Sequence, residues 1–161
     1  MTVKEYNQCV DLNADGLYRF ALKTIGDKEV ARDIVQDSFE RLWVKHENVD
    51  SLKAKSYLFT TAYHACIDLI RTSKRVGKMD EVQQKNHSTE TQYTDLQEVL
   101  HEALAKLPEI QRSVILLRDY EGYSYEEIQE ITGLNESQVK VYIYRARLAM
   151  KQYIGSLETV I

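Results

Sequence analysis

Residues 131–147, ITGLNESQVKVYIYRAR, place a Gly-containing turn between two short segments that carry helix-start signals. The first segment opens with an S-x-x-E capping box at positions 124–127, and the second opens with an Asn version of the same box at positions 135–138. Residues 132–134 lie between the two segments, and Gly133 suits a tight change of direction. Two short capped helices joined by such a turn predict a helix-turn-helix.

The second helix of this motif has one apolar stripe and one polar face. The residues predicted to face the domain core are Val139, Ile143, Ala146 and Met150, whose spacing follows the helical period. In a helix-turn-helix, the first residues of the second helix meet base edges, and cations hold phosphates. The face opposite the stripe offers Glu136, Ser137, Gln138, Lys140, Val141 and Tyr144 as candidates for DNA contact, and the candidate phosphate-binding residues are Arg145, Arg147 and Lys151. Among the first set, Gln138 suits adenine, Val141 suits a thymine methyl group, and Lys140 suits guanine or a phosphate. The alternative is a helical hairpin in a protein-interaction module, with a basic face that is only solvated.

The chain carries a formal net charge of -4, but this charge is distributed unevenly. Residues 53–78 hold six basic residues against one acid, and residues 137–153 hold four basic residues and no acid. Between residues 97 and 136, nine acids face three basic residues. Two basic stretches in an acidic chain indicate two local contacts with a polyanion and weak DNA binding by the free protein. Ordinary solvated helix faces would give the same pattern.

The composition indicates an all-α protein without an enzymatic centre. A single Pro and six Gly in 161 residues favour helices, and the length accommodates one domain or two small ones. The chain shows no signal segment and no apolar run long enough to cross a bilayer, so we expect a cytoplasmic protein with reduced Cys9 and Cys66. The four His form no metal-binding spacing, and no Gly loop suits a phosphate group. We therefore expect no catalytic residue, metal or cofactor.

Hydrophobic periodicity predicts further helices on both sides of a polar segment. Before it, the predicted helices are residues 12–25, a helix capped by Asp27, and residues 52–73. The polar segment, residues 76–96, has no sustained apolar period and is typical of a flexible linker. After it, Pro108 separates one helix from a second that runs to about residue 120. The residues predicted to face a core include Leu12, Trp43, Leu69 and Leu96.

Two parts of the chain together resemble one protein family. Residues 107–151, LPEIQRSVILLRDYEGYSYEEIQEITGLNESQVKVYIYRARLAMK, resemble the fourth conserved region of bacterial RNA polymerase sigma factors. Residues 31–43, ARDIVQDSFERLW, and residues 51–75, SLKAKSYLFTTAYHACIDLIRTSKR, resemble the second region. The order of the regions and the short length are similar to the extracytoplasmic-function (ECF) group of the sigma-70 family. The resemblance covers about residues 5–153.

This resemblance implies two small helical domains joined by a flexible linker. Residues 1–75 would serve core polymerase and the −10 promoter element, residues 76–96 would be the linker, and residues 97–161 would form a helix-turn-helix domain for the −35 element. The protein would bind core RNA polymerase, direct promoter recognition, help to melt the DNA and initiate transcription, without catalysing a reaction itself. The implied partners are core polymerase, promoter DNA and an anti-sigma factor, which members of the group commonly have.

The same resemblance implies roles for two further surfaces. The residues that would dock on the clamp coiled coil of the largest polymerase subunit are Asp33, Gln36, Asp37, Glu40 and Arg41. The residues that would contact the −10 element and an extruded non-template base are Ser51, Lys53, Lys55, Tyr57, Tyr63, His64, Arg71, Lys74 and Arg75. Without the resemblance, the first set is a solvated acidic face, and Tyr57 and Tyr63 are equally consistent with core packing.

The chain departs from the family pattern at several positions. His64 stands where Asn is common, Gln129 stands where Ala is usual, and Gln138, Val141 and Tyr142 replace the frequent Thr, Ser and Arg. Tyr142 remains among the candidates for contact with the −35 element, but the departures leave the preferred bases open. Two other classes of function also remain open. One is a single helix-turn-helix regulator with an N-terminal sensing or interaction domain, and the other is a helical protein-interaction adaptor.

Overall fold

The N-terminal half is a bundle of three helices. The structure is a computed structural model, and it describes the backbone of residues 1–76 and 95–158 and the side chains of residues 1–74 and 96–156. The three helices are α1 (Val3–Ile25), α2 (Lys28–Lys45) and α3 (Ala54–Val76). Two single-turn 3₁₀ helices, His46–Asn48 and Ser51–Lys53, connect α2 to α3. Each of the three α-helices packs against the other two, so they share one core.

The described part of the C-terminal half contains four α-helices. They are α4 (Asp95–Lys106), α5 (Glu109–Ile115), α6 (Tyr125–Thr132) and α7 (Glu136–Glu158). A π-helical segment, Leu116–Tyr120, prolongs α5. Helix α7 packs against α4, α5 and α6 and thereby supports this half. No strand occurs among the described residues, in agreement with the all-α prediction, while most of the predicted linker (residues 77–94) lies outside them.

Local hydrogen bonds explain where the first helices begin and end. The Thr2 hydroxyl accepts from the backbone N–H of Glu5, and the Glu5 carboxylate accepts from the backbone N–H of Thr2. This capping box starts α1 at Val3, so the prediction that the helix begins at residue 12 is wrong. Gly26 ends α1 in the left-handed conformation, with φ of 82°, and Asp27 caps α2 as predicted.

Four of the apolar residues predicted to face a core are exposed instead. Leu12, Trp43, Leu69 and Leu96 expose 82%, 43%, 38% and 62% of their surface, respectively. Leu12 shows the physical reason, because it precedes the buried Leu17 by five residues and so points about 140° away from it around the helix. A stripe of apolar residues in the sequence is thus wider than the face that each helix buries.

The two halves, which the sequence predicts as separate domains, share a buried interface. Helix α3 packs against α6, and the ring of Phe59 lies edge-on to that of Tyr123 with 5.1 Å between their centroids. On α5, the guanidinium of Arg112 donates to the carbonyl of Thr24 at 2.6 Å and to that of Leu107 at 3.1 Å. The Arg112 side chain therefore ties the start of the C-terminal half to the end of α1.

We expect Tyr123→Phe to leave the free energy of unfolding unchanged or to raise it by about 1 kcal/mol. The Tyr123 hydroxyl is buried and has no hydrogen-bond partner among the described residues, and burial raises its pKa. Phenylalanine would keep the ring contact with Phe59 and remove a desolvated polar group. Urea unfolding measures the effect, and a loss above about 1 kcal/mol would indicate that the hydroxyl has a partner.

Candidate nucleic-acid interface

Helix α7 is anchored by its predicted apolar stripe. The buried residues of this stripe are Val139, Ile143, Ala146 and Met150, each with at most 9% of its surface exposed. The predicted DNA-facing residues that the structure exposes are Glu136, Ser137, Gln138, Lys140, Val141, Tyr144, Arg145, Arg147 and Lys151. Tyr142 differs from them, because it is half-buried and packs against the core. The stripe thus confirms the predicted orientation of α7, and only part of the Tyr142 ring faces outward.

The start of α7 is held by the reciprocal cap predicted at residues 135–138. The backbone N–H of Gln138 donates to Asn135 Oδ1 at 2.8 Å, and the backbone N–H of Asn135 donates to Gln138 Oε1 at 2.9 Å. Reading adenine requires the carboxamide oxygen and nitrogen of Gln138 together. Since the cap already uses one lone pair of that oxygen, Gln138 is oriented by the turn before it meets any base.

Two cations of α7 form ion pairs within the C-terminal half. Lys140 Nζ lies 2.8 Å from Glu136 Oε1, and Arg147 Nε lies 3.1 Å from Asp119 Oδ2 in a bidentate pair. Hydrogen bonds to these carboxylates raise the pKa values of Lys140 and Arg147. Asp119 reaches Arg147 from the π-helical segment, a type of helix distortion that is frequent at functional sites. Contact with a phosphate therefore requires each cation to share its carboxylate partner or release it.

Arg118 and Tyr125 extend this surface and are absent from the sequence-based candidates. The Arg118 guanidinium lies 4.7 Å from the centroid of the Tyr125 ring, and Lys140 Nζ lies 6.0 Å from the same centroid. Arg118 also donates to the carbonyl of Tyr123 at 2.8 Å, which fixes its direction. Arg118 lies within the acidic stretch of residues 97–136, so clusters of basic residues in the sequence do not indicate it. The two cations flank one ring and so concentrate positive charge beside the start of α7.

We expect Gly133→Ala to lower the free energy of unfolding by about 1–2 kcal/mol. Gly133 has φ of 77°, and a Cβ there would meet no atom within 4 Å, so backbone strain alone would cause the loss. Gly155, inside α7, also has free space for a Cβ but has no positive φ. Gly155→Ala should therefore raise stability by up to about 1 kcal/mol. Thermal unfolding of both variants tests this pair, and equal effects would show that the turn is unstrained.

The predicted −10 residues differ widely in their exposure. Ser51, Lys53, His64 and Arg71 are exposed, and Tyr57 is half-buried against the core. Tyr63 is buried, with 5% of its surface exposed, and burial raises its pKa. In this arrangement the Tyr63 ring packs in the core, as in the alternative interpretation, and is not accessible to a base. The side chain of Arg75 lies outside the described residues.

Two further predicted −10 cations contact the C-terminal half. Lys55 Nζ lies 4.6 Å from the centroid of the Tyr123 ring, and Lys74 Nζ lies 2.9 Å from Glu109 Oε2. The bond to Lys74 also lowers the pKa of Glu109. Both lysines belong to α3, the helix that α6 covers in part. Lys55, Arg71 and Lys74 all remain exposed to solvent, but two of these three cations already contact a group of the C-terminal half.

A cluster of three aromatic rings supports the turns between α2 and α3. The Trp43 and His46 rings are stacked with 4.3 Å between centroids, and Tyr6 lies edge-on to Trp43 at 4.9 Å. The Tyr6 hydroxyl donates to the carbonyl of Phe39 at 2.9 Å, which fixes that ring from α1. The cluster explains why Trp43 lies at the surface, and it holds the turns that carry the −10 candidates Ser51 and Lys53 beside α2.

The five predicted polymerase-binding residues lie on one exposed face of α2. They are Asp33, Gln36, Asp37, Glu40 and Arg41, which recur at helical spacing. Arg41 Nε lies 3.0 Å from Asp37 Oδ2, and Gln36 Nε2 donates to Glu40 Oε1 at 3.3 Å. These bonds join side chains of the same helix, so they hold the face in order without covering it.

The described part of the chain also bears on metal binding and on membrane insertion. Within it, no group of three or more His, Cys, Asp or Glu side chains is placed to hold a metal ion. None of the described helices is long and apolar enough to cross a membrane.

Two family models match the chain in the same order as the two helical halves. Sigma-70 region 2 matches residues 9–76, and Sigma-70 region 4 matches residues 97–150. RNA polymerase sigma factor SigV of Bacillus subtilis is 33% identical over 146 residues, which cover 89% of this chain and 87% of that protein. ECF RNA polymerase sigma factor SigM of the same organism is 29% identical over 161 residues, with 94% of each covered. ECF RNA polymerase sigma factor SigL of Mycobacterium tuberculosis is 31% identical over 154 residues, covering 91% of this chain and 87% of SigL.

Two solved structures have a similar fold. The sigma factor RpoE from Bartonella quintana, in complex with the anti-sigma factor NepR, superimposes with a TM-score of 0.77 at 27% identity, covering 95% of this chain and 98% of RpoE. CnrH, in complex with the cytosolic domain of CnrY, gives a TM-score of 0.69 at 23% identity, covering 94% of this chain and 88% of CnrH. The similarity thus includes both helical halves.

Proposed function

The chain belongs to the extracytoplasmic-function group of the sigma-70 family of RNA polymerase sigma factors, and we propose that it divides promoter recognition between its two halves. Residues 1–75 bind core polymerase and the −10 element, residues 76–96 link the halves, and residues 97–161 bind the −35 element. The protein acts as a specificity subunit, and the polymerase performs the catalysis. It works in the cytoplasm, where promoter DNA and core polymerase are found.

The observation that carries this proposal is that α7 exposes a polar and basic face opposite its buried apolar stripe. The first turns of α7 present Gln138, Lys140 and Val141 at the position from which a helix-turn-helix reads base edges. Gln138 suits adenine, Val141 suits a thymine methyl group, and Lys140 suits guanine or a phosphate. Arg145, Arg147 and Lys151 follow along the same helix and bind phosphates, which fixes the register of the domain on the duplex.

For the −10 element, the exposed groups of α3 and of the turn before it support strand separation. Ser51 and Lys53 form the rim of a pocket for an extruded non-template base, and the cost of extrusion, a few kcal/mol, is offset by contacts with that base. His64 contacts the base region, and Arg71 binds the backbone phosphates. Tyr63 is left out of this assignment because it is buried.

The acidic face of α2 supports docking on core polymerase. Asp37 and Glu40 offer carboxylates to a basic partner, and both are exposed. An anti-sigma factor is a further partner in this proposal, because RpoE, which aligns with nearly the whole chain, was solved with the anti-sigma factor NepR. Such a factor would control access to the DNA-binding and polymerase-binding faces.

The proposed function is tested by transcription in vitro with bacterial core RNA polymerase and sheared genomic DNA. We expect the protein to direct initiation at a small set of start sites that share sequence elements near −35 and −10. Mapping the 5′ ends of the transcripts with and without the protein measures this. Unaltered start sites, combined with sequence-specific binding of duplex DNA by the protein alone as a dimer, would instead favour a helix-turn-helix regulator.

A further inference from the structure

Two cations of the N-terminal half line a cleft between the halves, and a third lies beside them on α1. Arg19 and Lys23 are one helical turn apart on α1, and Lys55 lies near the start of α3. The cleft holds about 270 Å³ and is lined by Arg19 and Lys55 together with Phe59. Arg19 and Lys23 have no role in the function described above. Their convergence with an aromatic ring therefore requires a separate explanation.

Each of the three cations meets an acid or an aromatic ring of the C-terminal half. Both nitrogens on one edge of Arg19, Nε and a terminal one, donate to the Glu121 carboxylate at 2.8 Å. Lys23 Nζ lies 5.1 Å from the centroid of the Tyr120 ring. Lys55 lies over the ring of Tyr123, which also covers Phe59. The C-terminal half thus offers one carboxylate and two rings to a basic and aromatic surface.

Gly16 makes room for the carboxylate in this contact. A Cβ at Gly16 would lie 2.9 Å from Glu121 Oε1 and 3.4 Å from a terminal nitrogen of Arg19. Glycine in the middle of a helix costs up to about 1 kcal/mol relative to alanine, so α1 forgoes some stability at the point where Glu121 is seated. The Glu121 side chain exposes only 6% of its surface, which makes this ion pair more enclosed than a simple surface pair.

We propose that Arg19, Lys23, Lys55 and Phe59 form a binding site for single-stranded DNA, and that the C-terminal half occupies this site as an intramolecular competitor. Single-stranded DNA presents phosphates and unpaired base faces, and proteins bind it with cationic grooves and aromatic platforms. The Glu121 carboxylate makes the contact with Arg19 that a phosphate would make, and the Tyr123 ring makes the contact with Phe59 that a base would make. Duplex DNA fits less well, because its base faces are stacked and closed to Phe59.

The charge in the cleft supports an anionic ligand once the halves separate. Of the acids there, Asp15 belongs to the N-terminal half and Glu121 to the C-terminal half. When Glu121 leaves, Asp15 is the one acid left among the residues that line the cleft, beside Arg19 and Lys55. Burial, and then the charge of Arg19, lower the pKa of Lys23, so a phosphate near both groups would relieve their mutual repulsion. This site rests on the proposed function for its role, which is to hold a melted promoter strand.

The test measures the affinity of the full-length protein for a fluorescent oligothymidylate of about 12 nucleotides by anisotropy. Glu121→Gln should strengthen binding about fivefold, since it releases the competing contact. Glu130→Gln, which makes the same charge change at an exposed position on α6, should leave the affinity unchanged. Gly16→Ala should act in the same direction as Glu121→Gln, because the added Cβ displaces the carboxylate.

Arg19→Gln separates a binding site from mere opening of the structure. It breaks the same ion pair as Glu121→Gln, but it removes part of the site, so we expect no gain in affinity. Lys23→Gln added to Glu121→Gln should reduce the gain and lower the salt dependence by about 0.7 in log–log slope. RNA of the same length and duplex DNA serve as the competing ligands, and single-stranded DNA should bind most tightly.

Two results would overturn the proposal. A gain with Arg19→Gln equal to that with Glu121→Gln would mean that Arg19 contacts no DNA. If neither Glu121→Gln nor Gly16→Ala binds the oligothymidylate more tightly than Glu130→Gln does, the C-terminal half does not compete with DNA for this site. No polymerase is present in these measurements. If the variants change DNA affinity as expected but the protein directs no transcription from promoters, only the proposed function is contradicted. If the protein directs transcription but the variants do not change DNA affinity as expected, only this binding site is contradicted.

Discussion

Reversing the charge of Asp37 and Glu40 to Lys is expected to weaken binding to core RNA polymerase by about 100-fold or more, because like charges forced together at an interface cost several kcal/mol. Both carboxylates are exposed on α2, so the change should not disturb the core of the N-terminal half. The local loss is the ion pair between Asp37 and Arg41, an exposed contact of one helical turn that contributes well under 1 kcal/mol. Competition with a second sigma factor for a limited amount of core polymerase measures the effect.

A matched control distinguishes the effect of the position of the new charges from the effect of the change in net charge. Glu98→Lys with Glu130→Lys makes the same change in net charge at exposed positions of the C-terminal half. We expect this control to compete for core polymerase as well as the unaltered protein does. Equal competition by the Asp37 and Glu40 variant would show that this face of α2 is only solvated.

Replacing Lys140 and Arg147 together by Ala is expected to weaken binding of −35 DNA by about 10-fold to 30-fold and to reduce the log–log salt slope by about 1.8. The loss of affinity stays below that of two unpaired cations, because Glu136 and Asp119 already pair with them and must be displaced or shared, and the slope change of about 1.8 is the upper limit for two phosphate contacts. Binding of polymerase holoenzyme to promoter fragments over a range of salt concentrations measures both quantities.

The control for this pair is Lys4→Ala, which removes an exposed cation from α1. It should change neither the affinity for the promoter nor the salt slope. Affinity for core polymerase should also be unchanged in the Lys140 and Arg147 variant, since both side chains are exposed on α7 and the acidic face belongs to α2 in the other half. A parallel loss of core affinity would contradict the assignment of α7 to the −35 element.

Much of helix α7 was predictable from sequence because its determinants are local. The capping boxes at residues 124–127 and 135–138 satisfy backbone groups within one helical turn, and the buried stripe of α7 follows from the helical period alone. Arg118 was missed, since its neighbours in sequence are acidic and its partner Tyr125 becomes a neighbour only through the turn after the π-helical segment. Tyr63 could not be decided, because an amphipathic ring at the edge of a stripe is compatible with either burial or exposure.

By itself the sequence determined the helical fold, the helix-turn-helix and its orientation, because these depend on caps, glycines and periodic apolar residues close together along the chain. The packing of the two halves, in contrast, determines which cations already have an acidic partner within the chain. Arg19 and Glu121 stand 102 positions apart, and Lys74 and Glu109 stand 35 apart, yet each pair is in hydrogen-bond contact. Such pairs depend on how α1 and α3 of the N-terminal half pack against the C-terminal half, which no local pattern encodes. The basic helix faces were readable from the sequence, whereas their occupation by the other half of the same chain was not.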